Sequence, residues 1–136
     1  MPFFILPHTA DVRLKVWGKD YEEVFRAALL GMSAIQKKAI PTKDADFIER
    51  TISVEASDGT ALLVDFLNEV LSLCAINKEW YFDGVFERLT ATSLHVTLHG
   101  IAISDFDEDI KAVTYHEANL QKNEKGEWET IIVLDI

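Results

Sequence analysis

The chain has 136 residues, 49% of them hydrophobic and 26% charged, which fits one folded domain spanning 1–136 and excludes a disordered polymer. Thirteen Lys and Arg stand against 23 Asp and Glu, a formal charge of −10, so no strong direct nucleic-acid binding is expected; Lys37-Lys38 is the densest basic spot. Cys74 is the only cysteine, which excludes an internal disulfide, a thiolate zinc cluster and a two-cysteine redox motif.

In chain order, Phe3–Leu6 reads as a short strand. "DVRLKVWG" alternates Val12, Leu14 and Val16 with Arg13, Lys15 and Trp17, the period-two pattern of a half-buried strand, and Gly18 ends it. A helix follows over about Tyr21 to Gln36: Asp20 can cap it, Glu23 completes a capping-box pattern, and Val24, Phe25, Ala28, Leu29, Met32 and Ile35 recur at helical spacing. "RTISVEAS" reads as a strand, and "SDGTALLVDFLNEVLSLCAIN" as a second helix capped by Ser57 or Asp58. Its stripe of Leu62, Leu63, Phe66, Leu67, Val70, Leu71 and Cys74 is broad; Asp65, Asn68, Glu69 and Ser72 lie opposite, where a solvated face is expected. No run approaches the ~18 uninterrupted apolar residues of a membrane span. The most apolar candidate, Ala61–Ile76, carries Asp65 and Glu69, and no signal-peptide pattern opens the chain, so a cytoplasmic location is expected.

From Trp80 the pattern turns to strands. "WYFDGVFERLTA" and "SLHVTLHGIAI" are two strand-like runs, "SDFDEDI" is an acidic loop, and "KAVTYHEANLQK" and "EWETIIVLDI" flank the hairpin turn "NEKG". The order is that of an α+β fold, with two helices on one face of a mostly antiparallel or mixed sheet.

Common catalytic signatures are missing: no Gly-rich phosphate loop, no nucleophile-elbow serine, no paired His at metal-ligand spacing on a helix. Cys74, on an apolar stripe, suits a core. His95 and His99 share one face of a strand-like run, and Lys111, Tyr115 and His116 stand near the acidic loop. The ending is more telling. Asp135 closes an apolar run and the chain-terminal carboxylate of Ile136 follows at once. A carboxylate there is expected to be partly desolvated beside a like charge, and a hard cation such as Mg²⁺, Mn²⁺ or Ca²⁺ relieves both. Asp11, opening another strand, is the natural third donor if the first and last strands are neighbours. A solvated, frayed terminus is the alternative.

Four blocks give this ending a context: "HTADVRLKVWGKDYEEVF" at 8–25, "LLVDFLNEVL" at 62–71, "IKAVTYHE" at 110–117 and "WETIIVLDI" at 128–136. In this order they resemble the archease family over nearly the whole chain. The resemblance implies a small α+β protein without a reaction of its own. Such a protein assists the GTP-dependent tRNA-splicing ligase by promoting its guanylylation and multiple turnover. It further implies a divalent metal held by Asp11, Asp135 and Ile136, with Lys111 and His8 in accessory roles; Asp65 and Glu69 match the family's helix pattern without a role. The segment "ISDFDEDIK" departs from the family's commonly basic or His-containing element, which puts a partner contact there in doubt. Two other classes stay open: a metal-dependent phosphoester hydrolase or nucleotidyl-transfer enzyme using the same carboxylates, and a chaperone-like interaction module.

Overall fold

The computed structural model describes residues 2–6, 11–38 and 46–136; His8 lies outside the described residues. In chain order the elements are β1 (Phe3–Leu6), β2 (Asp11–Gly18), α1 (Tyr21–Gln36), β3 (Phe47–Glu55), α2 (Gly59–Asn77), β4 (Glu79–Leu89), β5 (Ser93–Ala102), β6 (Ala112–Thr114), β7 (Gln121–Lys122) and β8 (Trp128–Asp135). Both helices start where side-chain oxygens meet otherwise unpaired backbone donors. The Asp20 carboxylate accepts from Glu23 N at 2.9 Å, and that of Asp58, rather than Ser57, accepts from Ala61 N at 2.8 Å.

The strands form two sheets, not one. A five-stranded sheet runs β1-β2-β8-β6, with β7 also on β8, and a three-stranded sheet runs β3-β5-β4. Every pairing among the described residues is antiparallel. The reason for the second sheet lies in α2. Its buried residues include Leu62, Leu63, Val64, Phe66, Leu67, Val70, Leu71 and Cys74, too broad an apolar surface for one sheet to cover. Accordingly α2 touches β3, β4 and β5 of one sheet and β6 of the other, while α1 lies against β1, β2 and β8 and also β4. Phe25 of α1, Phe66 of α2 and Phe86 of β4 meet where these layers converge, with ring centroids 5.7–6.4 Å apart.

By length and composition alone α2 is apolar enough to cross a membrane, with a mean hydropathy of 1.6 over an 18-residue window, although Asp65 and Glu69 interrupt its apolar run as the sequence indicated. Here it is a core helix: Leu62, Phe66, Leu67 and Val70 have no exposed surface.

"KAVTYHEANLQK" is not one strand. Only Ala112–Thr114 and Gln121–Lys122 pair with β8, because Glu117 adopts φ 66°, a left-handed conformation that breaks an extended run. The turn after β7 is as its residues require. Gly126 takes φ 80°, its N–H reaches Asn123 O at 3.0 Å, and Asn123 Oδ1 accepts from Lys125 and Glu127.

Candidate functional site

Strand alternation aims the end of the five-stranded sheet. Leu14 and Val16 of β2, with Ile132 and Leu134 of β8, turn into the core, so Arg13, Lys15 and Asp135 turn out. Asp135 is therefore exposed, not desolvated as its apolar neighbours suggested; a strand's last outward position faces water however apolar the inward ones are. Its crowding comes from register instead. Asp11 stands directly opposite Asp135 across β2 and β8. Directly paired residues hold their Cβ atoms about 4.5–5.5 Å apart, and like charges so placed repel. Ile136, next in line, is half-buried and packs against the core, which holds the last residue in place rather than leaving it frayed.

On the other side of β8, Ala112 pairs with Asp135, and the Lys111 N–H donates to the Asp135 carbonyl at 2.8 Å. Three of the residues singled out in the sequence, Asp11, Asp135 and Lys111, thus come from three chain segments to one sheet end, with Ile136 adjoining.

The outer face beyond this end is laced with ion pairs. Arg13, two residues from Asp11, makes a two-pronged bond to Glu117 at 2.8 and 2.9 Å, and that carboxylate's hydrogen bonding raises the Arg13 pKa. Lys15 lies 3.8 Å from Glu129.

The polar side of α2 is only in part the solvated face expected: Glu69 and Ser72 are exposed, whereas Asp65 and Asn68 bind the neighbouring chain segment. The Asn68 side-chain amide donates to Val113 O at 2.8 Å and accepts from Val113 N at 2.9 Å. Asp65 accepts the hydroxyl of Tyr115, and that bond raises the Tyr115 phenol above its ordinary value. Further toward the helix start, Thr60 Oγ1 accepts from Leu120 N at 3.0 Å. Helical spacing alone cannot tell a polar face that binds water from one that binds a strand edge, so these roles were invisible in the sequence. The amide of Asn68 among carboxylates was the one available hint.

The remaining candidates lie elsewhere. His95 and His99 sit on the outward face of the three-stranded sheet, His95 Nδ1 2.7 Å from Ser53 Oγ and His99 Nε2 3.9 Å from Glu49. His116 is exposed in the turn after β6, its N–H on Thr114 Oγ1 at 3.2 Å. The acidic loop closes the end of α1: the Asp107 and Glu108 N–H groups donate to Gln36 O, and Asp107 Oδ2 accepts from Lys38 N at 2.9 Å.

Among the described residues no three His, Cys, Asp or Glu side chains gather as a metal-holding group. The sheet end offers two opposed side-chain carboxylates, from Asp11 and Asp135, with Ile136 next to the second. Oxygen donors of net negative charge fit a hard divalent cation and not a soft one.

Residues 3–136 match the Archease protein family. The chain is similar to "Protein archease" of Methanosarcina barkeri, with 34% identity covering 96% of this chain and 93% of that protein. It is also similar to "Protein archease-like" of Drosophila melanogaster, at 27% identity over 100% of this chain and 91% of the other. Among solved structures it resembles protein 1598 of Methanobacterium thermoautotrophicum, with a TM-score of 0.71, 25% identity and 99% of each chain covered. The crystal structure of an archease, possible chaperone, from Thermotoga maritima has the same fold, with a TM-score of 0.71, 21% identity, and 96% and 94% of the two chains covered.

Proposed function

The chain belongs to the archease family, and from that membership we propose that it is an accessory protein that activates the GTP-dependent tRNA-splicing ligase in the cytoplasm. It promotes guanylylation and repeated turnover of the ligase and catalyses no reaction of its own. The observation that carries this reading is the register that sets Asp11 opposite Asp135, with Ile136 adjoining. Asp11, Asp135 and the Ile136 carboxylate would hold one Ca²⁺, Mg²⁺ or Mn²⁺. Such an ion supplies positive charge that stabilises phosphate oxygens during nucleotidyl transfer. Lys111, carried on the segment bonded to Asp135, would orient a phosphate or a carboxylate of the partner.

Electrostatics supports the same pairing. A ligase that takes RNA and GTP presents a basic cleft, and a chain of charge −10 is drawn toward it with a rate that falls as salt rises. Asp135 is exposed at its strand end, with the half-buried Asp11 opposite it, where a partner can reach the pair.

The test is guanylylation of the ligase from the same organism, with and without this protein, at ligase-to-protein ratios from excess to deficit. Substoichiometric stimulation is expected. Asp11→Ala, Asp135→Ala and a C-terminal extension that displaces the Ile136 carboxylate should each abolish it while circular dichroism stays unchanged. Normal stimulation by all three variants would overturn the site. Turnover of a phosphoester by the isolated protein would establish an enzyme instead, and protection of unrelated clients with no effect on guanylylation would establish a chaperone.

A further inference from the structure

β6 and the segment after it are tied to α2 at successive points. Val113 is held by Asn68, Tyr115 by Asp65 and Leu120 by Thr60, so the segment runs antiparallel to the helix along one side of it. From Thr60 to Asn68 is about 12 Å of helix at 1.5 Å per residue. The opposite side of α2, through Leu63, Phe66, Leu67 and Val70, is locked in the core, so the helix cannot rotate to release these contacts.

The Asn68 contact differs from the other two in kind. β6 has three residues and ends the order of its sheet, with β8 on one side only. Such a strand is too short to hold its own register by pairing. Asn68 puts one donor and one acceptor on a single planar group, as a peptide unit does, and satisfies both polar groups of Val113 at once. It stands in for a missing neighbouring strand. Val113 lies one residue from Ala112, which pairs with Asp135, and two from Lys111, whose N–H bonds the Asp135 carbonyl.

We propose that Asn68 is a positioning residue for the carboxylate end of the sheet: its amide holds β6 in register with β8, and thereby fixes Lys111 and the main chain of Asp135 opposite Asp11. The inference rests on the reading that this end holds a divalent cation, and it adds a residue about which that reading is silent. Aspartate at position 68 keeps the shape and the acceptor but loses the donor and sets a negative charge against Val113 O. Leucine keeps the volume and loses both. Slippage of β6 by one residue moves Lys111 to the other side of the strand and withdraws its N–H from Asp135.

The experiment combines calcium titration by calorimetry with amide hydrogen exchange, on the wild type, Asn68→Asp, Asn68→Leu, Asp135→Asn and Thr60→Val, well below the melting temperature of each. Residues that orient ligands typically change metal affinity by about 10–100-fold, so a loss of at least tenfold is expected for both Asn68 variants. Faster exchange at Lys111 and Val113 should accompany it. Thr60→Val, which frees Leu120 N from the same helix but far from the sheet end, should lower the melting temperature and leave affinity unchanged. Asn68 variants that bind calcium as the wild type does, with Lys111 and Val113 still protected, overturn the proposal. Loss of affinity in Thr60→Val equal to that in the Asn68 variants also overturns it, because any weakening of the α2 contacts would then do the same. If the wild type binds no calcium, nor magnesium or manganese titrated in the same way, the cation reading fails, and exchange at Lys111 and Val113 alone decides whether Asn68 sets the register. Calcium binding that survives Asp135→Asn but falls in Asn68→Asp would place the ion elsewhere, overturning both.

Discussion

Neutralising one carboxylate of the opposed pair should reverse sign with the cation present. Asp11 and Asp135 are cross-strand partners. At a separation of about 5 Å on a water-facing surface, two unit charges repel by about 1 kcal/mol, the upper end of measured cross-strand pair effects. Asp135→Asn removes that term and leaves an amide that can donate to the Asp11 carboxylate. Without divalent ions the variant should therefore be more stable than the wild type, by about 1 kcal/mol. For a chain of 136 residues this is a rise in melting temperature of about 3–5 °C. With calcium at about 100 times its dissociation constant the wild type gains about 2.7 kcal/mol by mass action, and the variant, with its weakened site, gains little. The order of melting temperatures then inverts. Differential scanning calorimetry in EDTA and in calcium reads both limbs. A variant that melts below the wild type in EDTA, or that gains as much from calcium as the wild type does, refutes the reasoning.

The other predictions concern the frame behind the site. Glu79 is buried and accepts from Arg50 at 2.8 and 2.9 Å; those bonds, helped by the Tyr81 hydroxyl, hold its carboxyl below the usual value of 4.5 against the opposing pull of burial. A lowered folded-state pKa means that this stabilisation is complete above about pH 4.5 and is lost as pH falls through the lower, folded value, which urea unfolding across pH 6 to 3 will show. Tyr81→Phe removes one donor to that carboxylate, should cost about 1.5–3 kcal/mol at pH 7, and should move the onset of acid unfolding to higher pH. Burial pushes the Cys74 thiol up to about 11, so iodoacetamide at pH 7.5 should leave the native protein unlabelled and modify it only in denaturant. A Cβ on Gly100 would fall 2.3 Å from the carbonyl oxygen of Trp80 in the paired β4 strand, so Gly100→Ala should cost about 1–3 kcal/mol, read as a lower urea midpoint.

What could be read from the sequence and what could not divides along the range of the interactions. Both helices were legible, with the cap Asp20 and with the second cap narrowed to Ser57 or Asp58, because period and capping depend on residues three or four apart. So was the turn at Asn123–Gly126, where the chemistry is again local. The split into two sheets was not: it follows from how much apolar surface α2 must bury on two sides, a property of the assembled layers. Asp11 and Asp135 announced themselves as strand ends, and the family likeness named them together with Ile136. Only the antiparallel register of β2 with β8 puts them face to face. The exposure of Asp135 likewise came from pleat alternation against a core that no window of sequence contains. Asn68 shows the limit most clearly. In the sequence it is one polar residue among four on the side of a helix. In the fold it completes an edge strand that starts more than forty residues later, because hydrogen bonds between distant segments exist only once packing has brought their donors and acceptors together.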